Sequence, residues 1–226
     1  MTVVRAPLMG FGASGQIGKS LVFGAWKGQK YARSYTIPSN PKSTNQQSVR
    51  ALFSWVHDAY KYLDSAVSDA WVAYAKGKTL TGPNAFTSKN FVALSTYSGT
   101  PPKWTGVAAN NNDMIFIPAV LGAPPATNLT VTPGATQLAL SATAPTLPSG
   151  WTITEAIFTI MKQQDPSGET EPNISTTMTD STDPYSVTFT GLTTAQVYVC
   201  SVGWKVLRSD GQVAYGGSFN STGTPT

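Results

Sequence analysis

Across residues 15–63 two strand-like runs give way once to apolar side chains at helical spacing, and the change falls on two prolines. Residues 20–26 and 29–37 are rich in aromatic and β-branched side chains. Lys27-Gly28 between them supplies turn chemistry, so a β-hairpin is expected. Pro38 and Pro41 then stop the ladder, because neither has a backbone N–H to donate. Thr44 and Gln47 stand at the spacing of a helix capping box, and Val49, Leu52, Phe53, Val56, Tyr60 and Leu63 recur at helical spacing. Hairpin, stiff corner and amphipathic helix together hold no catalytic constellation and read as a docking device.

A second helix is expected from about Ser65, with Val67, Ala70, Trp71, Tyr74 and Ala75 on one face and Gly77 as its stop. A third starts near Pro83, whose fixed φ suits a first helical position, and runs through Phe86, Asn90, Phe91 and Leu94. Residues 98–113 carry two prolines, two glycines and three successive asparagines and read as a loop. A short strand is expected at 114–117 and a Pro-stiffened hinge at 118–125.

Beyond residue 126 the texture is all-β. Runs at 128–131, 137–143, 153–162, 185–190, 196–206 and 212–219 are separated by Pro, Gly and Asp turn signals. Leu138/Leu140/Ala142 and Ala156/Phe158/Ile160 alternate. Short strands at this density predict a β-sandwich. The fold class is therefore an α+β module of one hairpin and about three short helices (1–117), a hinge (118–125) and an all-β immunoglobulin-like sandwich (126–226).

Only 12% of residues are charged, against 41% apolar, which is enough to build a core under a neutral, turn-rich surface. Residues 1–113 hold twelve Lys/Arg against four Asp/Glu, and residues 114–226 hold three against seven. Either both surfaces are ordinary or the basic half faces an acidic partner, protein or nucleic acid. One cysteine, Cys200, permits no intrachain disulfide. No apolar run spans a bilayer and no secretory signal pattern opens the chain, so synthesis in a cytoplasm is expected.

Residues 13–20, ASGQIGKS, satisfy a relaxed phosphate-loop pattern. The run that follows is β-like and carries Gly24 and Gly28 where a phosphate loop needs a helix, so the stretch reads as a Gly-rich lead into the first strand. His57, the only histidine, has no nucleophile in a recognisable motif beside it. Cys200 falls within an expected central strand and reads as a small core residue. Asp165, Glu169 and Glu171 share a loop but lack the order of a calcium motif. No catalytic residue, metal site or cofactor is expected. Trp26, Lys27, Lys30, Tyr31, Arg33 and Tyr35 interleave bases with aromatics as nucleic-acid readers do, although packing of that face on the helices ranks ahead.

Two stretches resemble known families. Leu192 lies six residues before Tyr198, and Cys200 and Val202 follow in alternation. This is similar to the tyrosine corner of fibronectin type III domains, with Thr194 where that family has proline. It spans residues 126–222 and implies structural roles for Tyr198 and Leu192. Upstream, GASGQIGK, FGAWKGQKYARSY, the corner from Pro38 through Pro41 to Thr44, and Gln47, Arg50 and Phe53 form a set over about residues 10–95. That set resembles virion proteins of tailed bacteriophages and related prophage-borne families.

The resemblance implies a structural component of a phage particle (capsid decoration, head–tail or tail) made in the host cytoplasm and located in the virion. Its partners would be other virion subunits and copies of itself. No small-molecule substrate or membrane is expected, and nucleic acid ranks behind protein. The expected subunit interface comprises Phe11, Trp26, Lys27, Lys30, Tyr31, Arg33, Tyr35, Pro38, Pro41 and Arg50. An adhesin whose sandwich binds glycan or host surface, with Trp151 and Trp204 as contact candidates, is the first alternative, and nucleic-acid binding by the basic half is the second.

Overall fold

The computed structural model describes residues 2–3, 14–26, 29–37, 39–167, 172 and 174–226. The chain divides into a leading unit, Met1–Lys42, and a main unit, Ser43–Thr226. The leading unit is one antiparallel sheet of β1 (Thr2–Val3), β2 (Gly15–Ile17), β3 (Leu21–Trp26) and β4 (Gln29–Ser34), in the order β1-β4-β3-β2. The expected hairpin is β3–β4, with Trp26 opposite Gln29 and Leu21 opposite Ser34. Residues 35–37 fall outside the strand because β3 has run out of partner residues. The Tyr35 N–H still reaches the Ser20 carbonyl at 2.8 Å.

The main unit opens with α1 (Thr44–Lys61), α2 (Ser65–Ala75) and α3 (Gly82–Ala93). The cap of α1 sits one residue earlier than expected: Ser43, in extended conformation, accepts from the Gln46 N–H. Asp64 caps α2 by accepting from the Ala66 N–H at 3.0 Å. Pro83 stands in the first turn of α3. Residues 98–113 are less irregular than their composition suggests. β5 (Ser95–Ser98) and β6 (Lys103–Val107) form a small hairpin, with Pro101 and Pro102 confined to its turn.

The sandwich comprises β7 (Thr130–Gly134), β8 (Gln137–Ala142), β9 (Thr152–Lys162), β10 (Ile174–Asp180), β11 (Tyr185–Thr190), β12 (Tyr198–Leu207) and β13 (Val213–Gly223). One sheet runs β10-β9-β12-β13 and the other β11-β8-β7. β10, ISTTMTD, escapes sequence reading because threonines fill a sheet edge where apolar alternation is weak. Leu138, Leu140, Phe158, Ile160, Phe189, Cys200, Val202 and Trp204 fill the space between the sheets.

The far face of the four-stranded sheet is buried too. Ile157 and Met161 on β9, Val199 on β12 and Tyr215 on β13 pack in one cluster with Leu52, Val56, Trp71 and Phe86 of the helices. The main unit is therefore three layers, helices on sheet on sheet. Burial on both faces is why β9 and β12 read as near-continuous apolar runs.

This arrangement corrects the expected boundary at 118–125. The Val120 N–H bonds the Tyr215 carbonyl at 2.8 Å, the Ala126 N–H bonds the Gly217 carbonyl at 3.0 Å, and Ala123 is buried in the sandwich core. The segment lies along β13 instead of acting as a hinge. Gly216 allows the approach, because a Cβ there would collide with the Pro124 carbonyl. Met114–Ile117, expected as a strand, is an irregular segment pinned by side chains. Asn90, fully buried on α3, donates to the Ile115 carbonyl (3.1 Å) and accepts from the Ile115 N–H (2.6 Å). Trp71 Nε1 donates to the Phe116 carbonyl at 2.7 Å. Asn111 ties this side to the sandwich by donating to the Lys162 carbonyl and accepting from the Gln164 N–H.

Replacing Asn90 with Leu leaves the part-buried amide and carbonyl of Ile115 without their partner. The expected loss of stability is about 3 kcal/mol, read as a lower denaturant midpoint with unchanged m-value. A variant as stable as the wild type would remove Asn90 from the account of how α3 and residues 111–117 are joined.

Candidate interaction surfaces

Alternation along β3 and β4 sorts the expected interface residues. Val22 pairs with Arg33 and Gly24 with Tyr31, which puts these four on one face. Phe23 with Ala32 and Ala25 with Lys30 lie on the other. Lys30 is thus separated from Tyr31 and Arg33 by the thickness of the sheet. Tyr31 is half-buried and its ring lies over Gly24, where a Cβ would stand 2.7 Å from the Tyr31 hydroxyl. Arg33 and Pro41 are exposed, and Tyr35 is half-buried. Trp26 ends β3, and Phe11, Lys27 and Pro38 lie outside the described residues. Arg50 belongs to the main unit, exposed on α1.

Residues 1–42 contain six Lys/Arg and no Asp or Glu, whereas residues 43–226 contain nine against eleven. The basic surplus of the chain is therefore concentrated in the leading sheet more sharply than a division into halves suggests. Lys19, Lys30, Arg33 and Lys42 make no ion pair among the described residues. Ile17 and Leu21 are exposed. Lys19 and Ser20 occupy the turn between β2 and β3, so strand follows the glycines where a phosphate loop would have a helix.

The main unit carries an apolar groove of about 700 Å³ between α1 and α3. Tyr60, near the end of α1, packs edge-on against Phe86 near the start of α3, which brings opposite ends of the two helices together. Phe53 and Val92, both more than half exposed, form the rims with Val49 and Phe91. Arg50, His57, Asn84, Thr87 and Ser88 supply its polar atoms. Thr87 is only 5% exposed, and its hydroxyl has no hydrogen-bond partner among the described residues. Phe53 recurs at helical spacing with Leu52 and Val56, yet those two are buried and Phe53 is exposed. The available signal was width: Val49, Phe53 and His57 form a second stripe beside the buried Leu52, Val56 and Ala59.

In the sandwich, Tyr198 opens β12 and its hydroxyl accepts from the Thr193 N–H at 3.0 Å, while Leu192 packs half-buried against the core. Trp204 is fully buried, edge-on to Tyr185. Trp151 is half-buried with the Arg208 guanidinium 5.0 Å from its ring. An exposed platform made of both tryptophans is thus absent. Asp165 accepts from the Ser167 N–H and hydroxyl, and Glu169 and Glu171 lie outside the described residues. Among the described residues no cluster of three metal-ligating side chains occurs.

Removing the Tyr198 hydroxyl with Phe unpairs the Thr193 amide and is expected to cost about 1 kcal/mol; an unchanged melting temperature would contradict that role. Burial pushes the Cys200 thiol up to about 12. Below that pH the group stays protonated in the folded chain, so thiolate-directed alkylation at pH 8 should proceed only after unfolding. Rapid labelling of native protein would show that the strand opens.

No protein-family model and no curated protein matches this sequence. Among solved structures, a redesigned β-sandwich protein is 24% identical, covering 45% of this chain and 88% of its own, with a TM-score of 0.33. A structure described as that of a myokine is 15% identical over 46% of this chain and 100% of its own, with a TM-score of 0.32.

Proposed function

We propose that this chain is a structural protein of a bacteriophage particle, in capsid decoration, the head–tail region or the tail, and that it acts by packing against other subunits. The observation that carries this reading is the leading unit: a single sheet, rich in cations and devoid of carboxylates, with no second layer among its own described residues. A sheet normally buries an apolar face against another layer; on the face that Ile17, Leu21 and Phe23 share, Phe23 is buried while Ile17 and Leu21 remain exposed. Unpaired cations on such a surface suit acidic neighbours, and repetition in a particle multiplies weak contacts. The sequence resemblance over residues 10–95 points to the same setting.

The glycan-binding alternative loses support from the burial of Trp204. Nucleic-acid binding keeps the charge of the leading unit in its favour, but the split of Lys30 from Tyr31 and Arg33 weakens a stacking platform.

Amine-directed cross-linking of purified particles tests the proposal, because the leading unit is rich in lysine. Cross-links from Lys19, Lys30 and Lys42 to other virion proteins are expected. Absence of the chain from purified particles would end the proposal. Retention of the purified chain on DNA, falling steeply with salt and abolished by Arg33→Glu, would transfer the assignment to nucleic acid.

A further inference from the structure

The groove between α1 and α3 belongs wholly to the main unit, and it has features that a merely superficial crease lacks. Its walls are apolar and its rims, Phe53 and Val92, are 55% and 58% exposed. At its base Thr87 keeps a buried hydroxyl unpaired, although a helical threonine ordinarily bonds the carbonyl one turn back. Its titratable lining is Arg50 and His57, with no carboxylate among the described residues. Asp58, next along α1, is engaged by Lys61 at 2.6 Å, and Arg50 makes no ion pair among the described residues. The groove thus asks for an apolar side chain, a hydrogen-bonding group and a negative charge.

The sandwich of the same chain offers that combination. Lys205 pairs with Glu155 and Arg208 with Asp210, which neutralises one end. At the β10–β11 turn Asp183 is exposed and without an ion-pair partner among the described residues. Asp180 beside it accepts backbone N–H bonds from Thr182 and Ser186. Burial, then Asp183 and Asp180, push the Tyr185 phenol up, and no cation offsets them. Met178, 39% exposed, lies two residues before Asp180 on β10, the edge strand of its sheet.

We propose that the α1–α3 groove receives the β10–β11 edge of a second copy of this chain, with Met178 against the apolar walls and Asp183 near Arg50. This rests on the reading of the chain as a subunit that packs on subunits, and it names the partner. Groove and edge are different surfaces, so the contact is head-to-tail. Successive copies then build a ring or an open series instead of stopping at a dimer.

Sedimentation velocity of the full chain, over a range of protein and salt concentrations, tests it. The wild type is expected to form species larger than a dimer that dissociate as salt rises. Arg50→Glu and Asp183→Arg are each expected to weaken association about tenfold. An equimolar mixture of the two single variants should recover it, because the two can alternate along the series, and every contact between unlike copies is either the original or the swapped pair. Thr87→Val should weaken association about threefold while the melting temperature holds or rises.

A chain that stays monomeric under all these conditions overturns the proposal, as does association indifferent to either charge reversal, unrecovered on mixing, or unchanged in Thr87→Val. Binding of DNA that depends on Arg50 would also overturn it. Monomeric chain that nevertheless cross-links to other virion proteins through Lys19 or Lys30 would defeat this inference and leave the proposed function standing.

Discussion

The burial of one sheet on both faces organises the main unit. β9 and β12 turn Phe158, Ile160, Cys200 and Val202 toward the three-stranded sheet, and Ile157, Met161 and Val199 toward the helices. Neither outer layer could dispense with that shared wall. α2 and α3 are short, and short helices draw their stability from packing of an apolar face. The three-stranded sheet likewise needs a second layer to cover its inner residues. Polar side chains then set the registration. Asn90 and Trp71 satisfy backbone groups in the irregular stretch 115–116, and Asn111 bonds the end of β9 and the residue two beyond it.

Much of this was legible from residue order. The hairpin, three helices and most sandwich strands follow from spacing and turn residues alone, because each lies in a segment whose period is unmixed. The failures share a cause. A proline-rich run such as 118–125 suggests a hinge by its stiffness, yet stiffness also suits a segment laid along a neighbouring strand. Nothing local in the sequence tells those two uses apart. β10 was lost because threonine at a sheet edge leaves little apolar alternation, and β5–β6 because prolines in a turn obscured the flanking strands. The near-continuous apolar runs of β9 and β12 already carried the sign of double burial, and it was the feature that could have joined the two expected domains.

The placement of the expected interface residues is only partly legible in the sequence. Period-two spacing correctly puts Tyr31 and Arg33 on one side of β4, but the grouping of Lys30 with them ignored the same alternation. The groove escaped because Phe53 fits a helical count whichever side of α1 it occupies. Only a second helix, α3, decides that Val49 and Phe53 line a cleft while Leu52 and Val56 enter the core. Charge shows the same dependence on context. The excess of cations was visible as a difference between halves, but its confinement to a unit ending at Lys42 depends on where the chain separates.

The path of residues 118–126 beside β13 has a further consequence. A long outer strand in a protein with few charges would ordinarily present bare amides and carbonyls to any neighbouring polypeptide, which is a route to uncontrolled fibre growth. Here the chain's own backbone occupies part of that row, through Val120 and Ala126, and Gly216 permits the close fit. Self-association along this border is therefore opposed by the chain's own hydrogen-bonded backbone instead of by electrostatic repulsion.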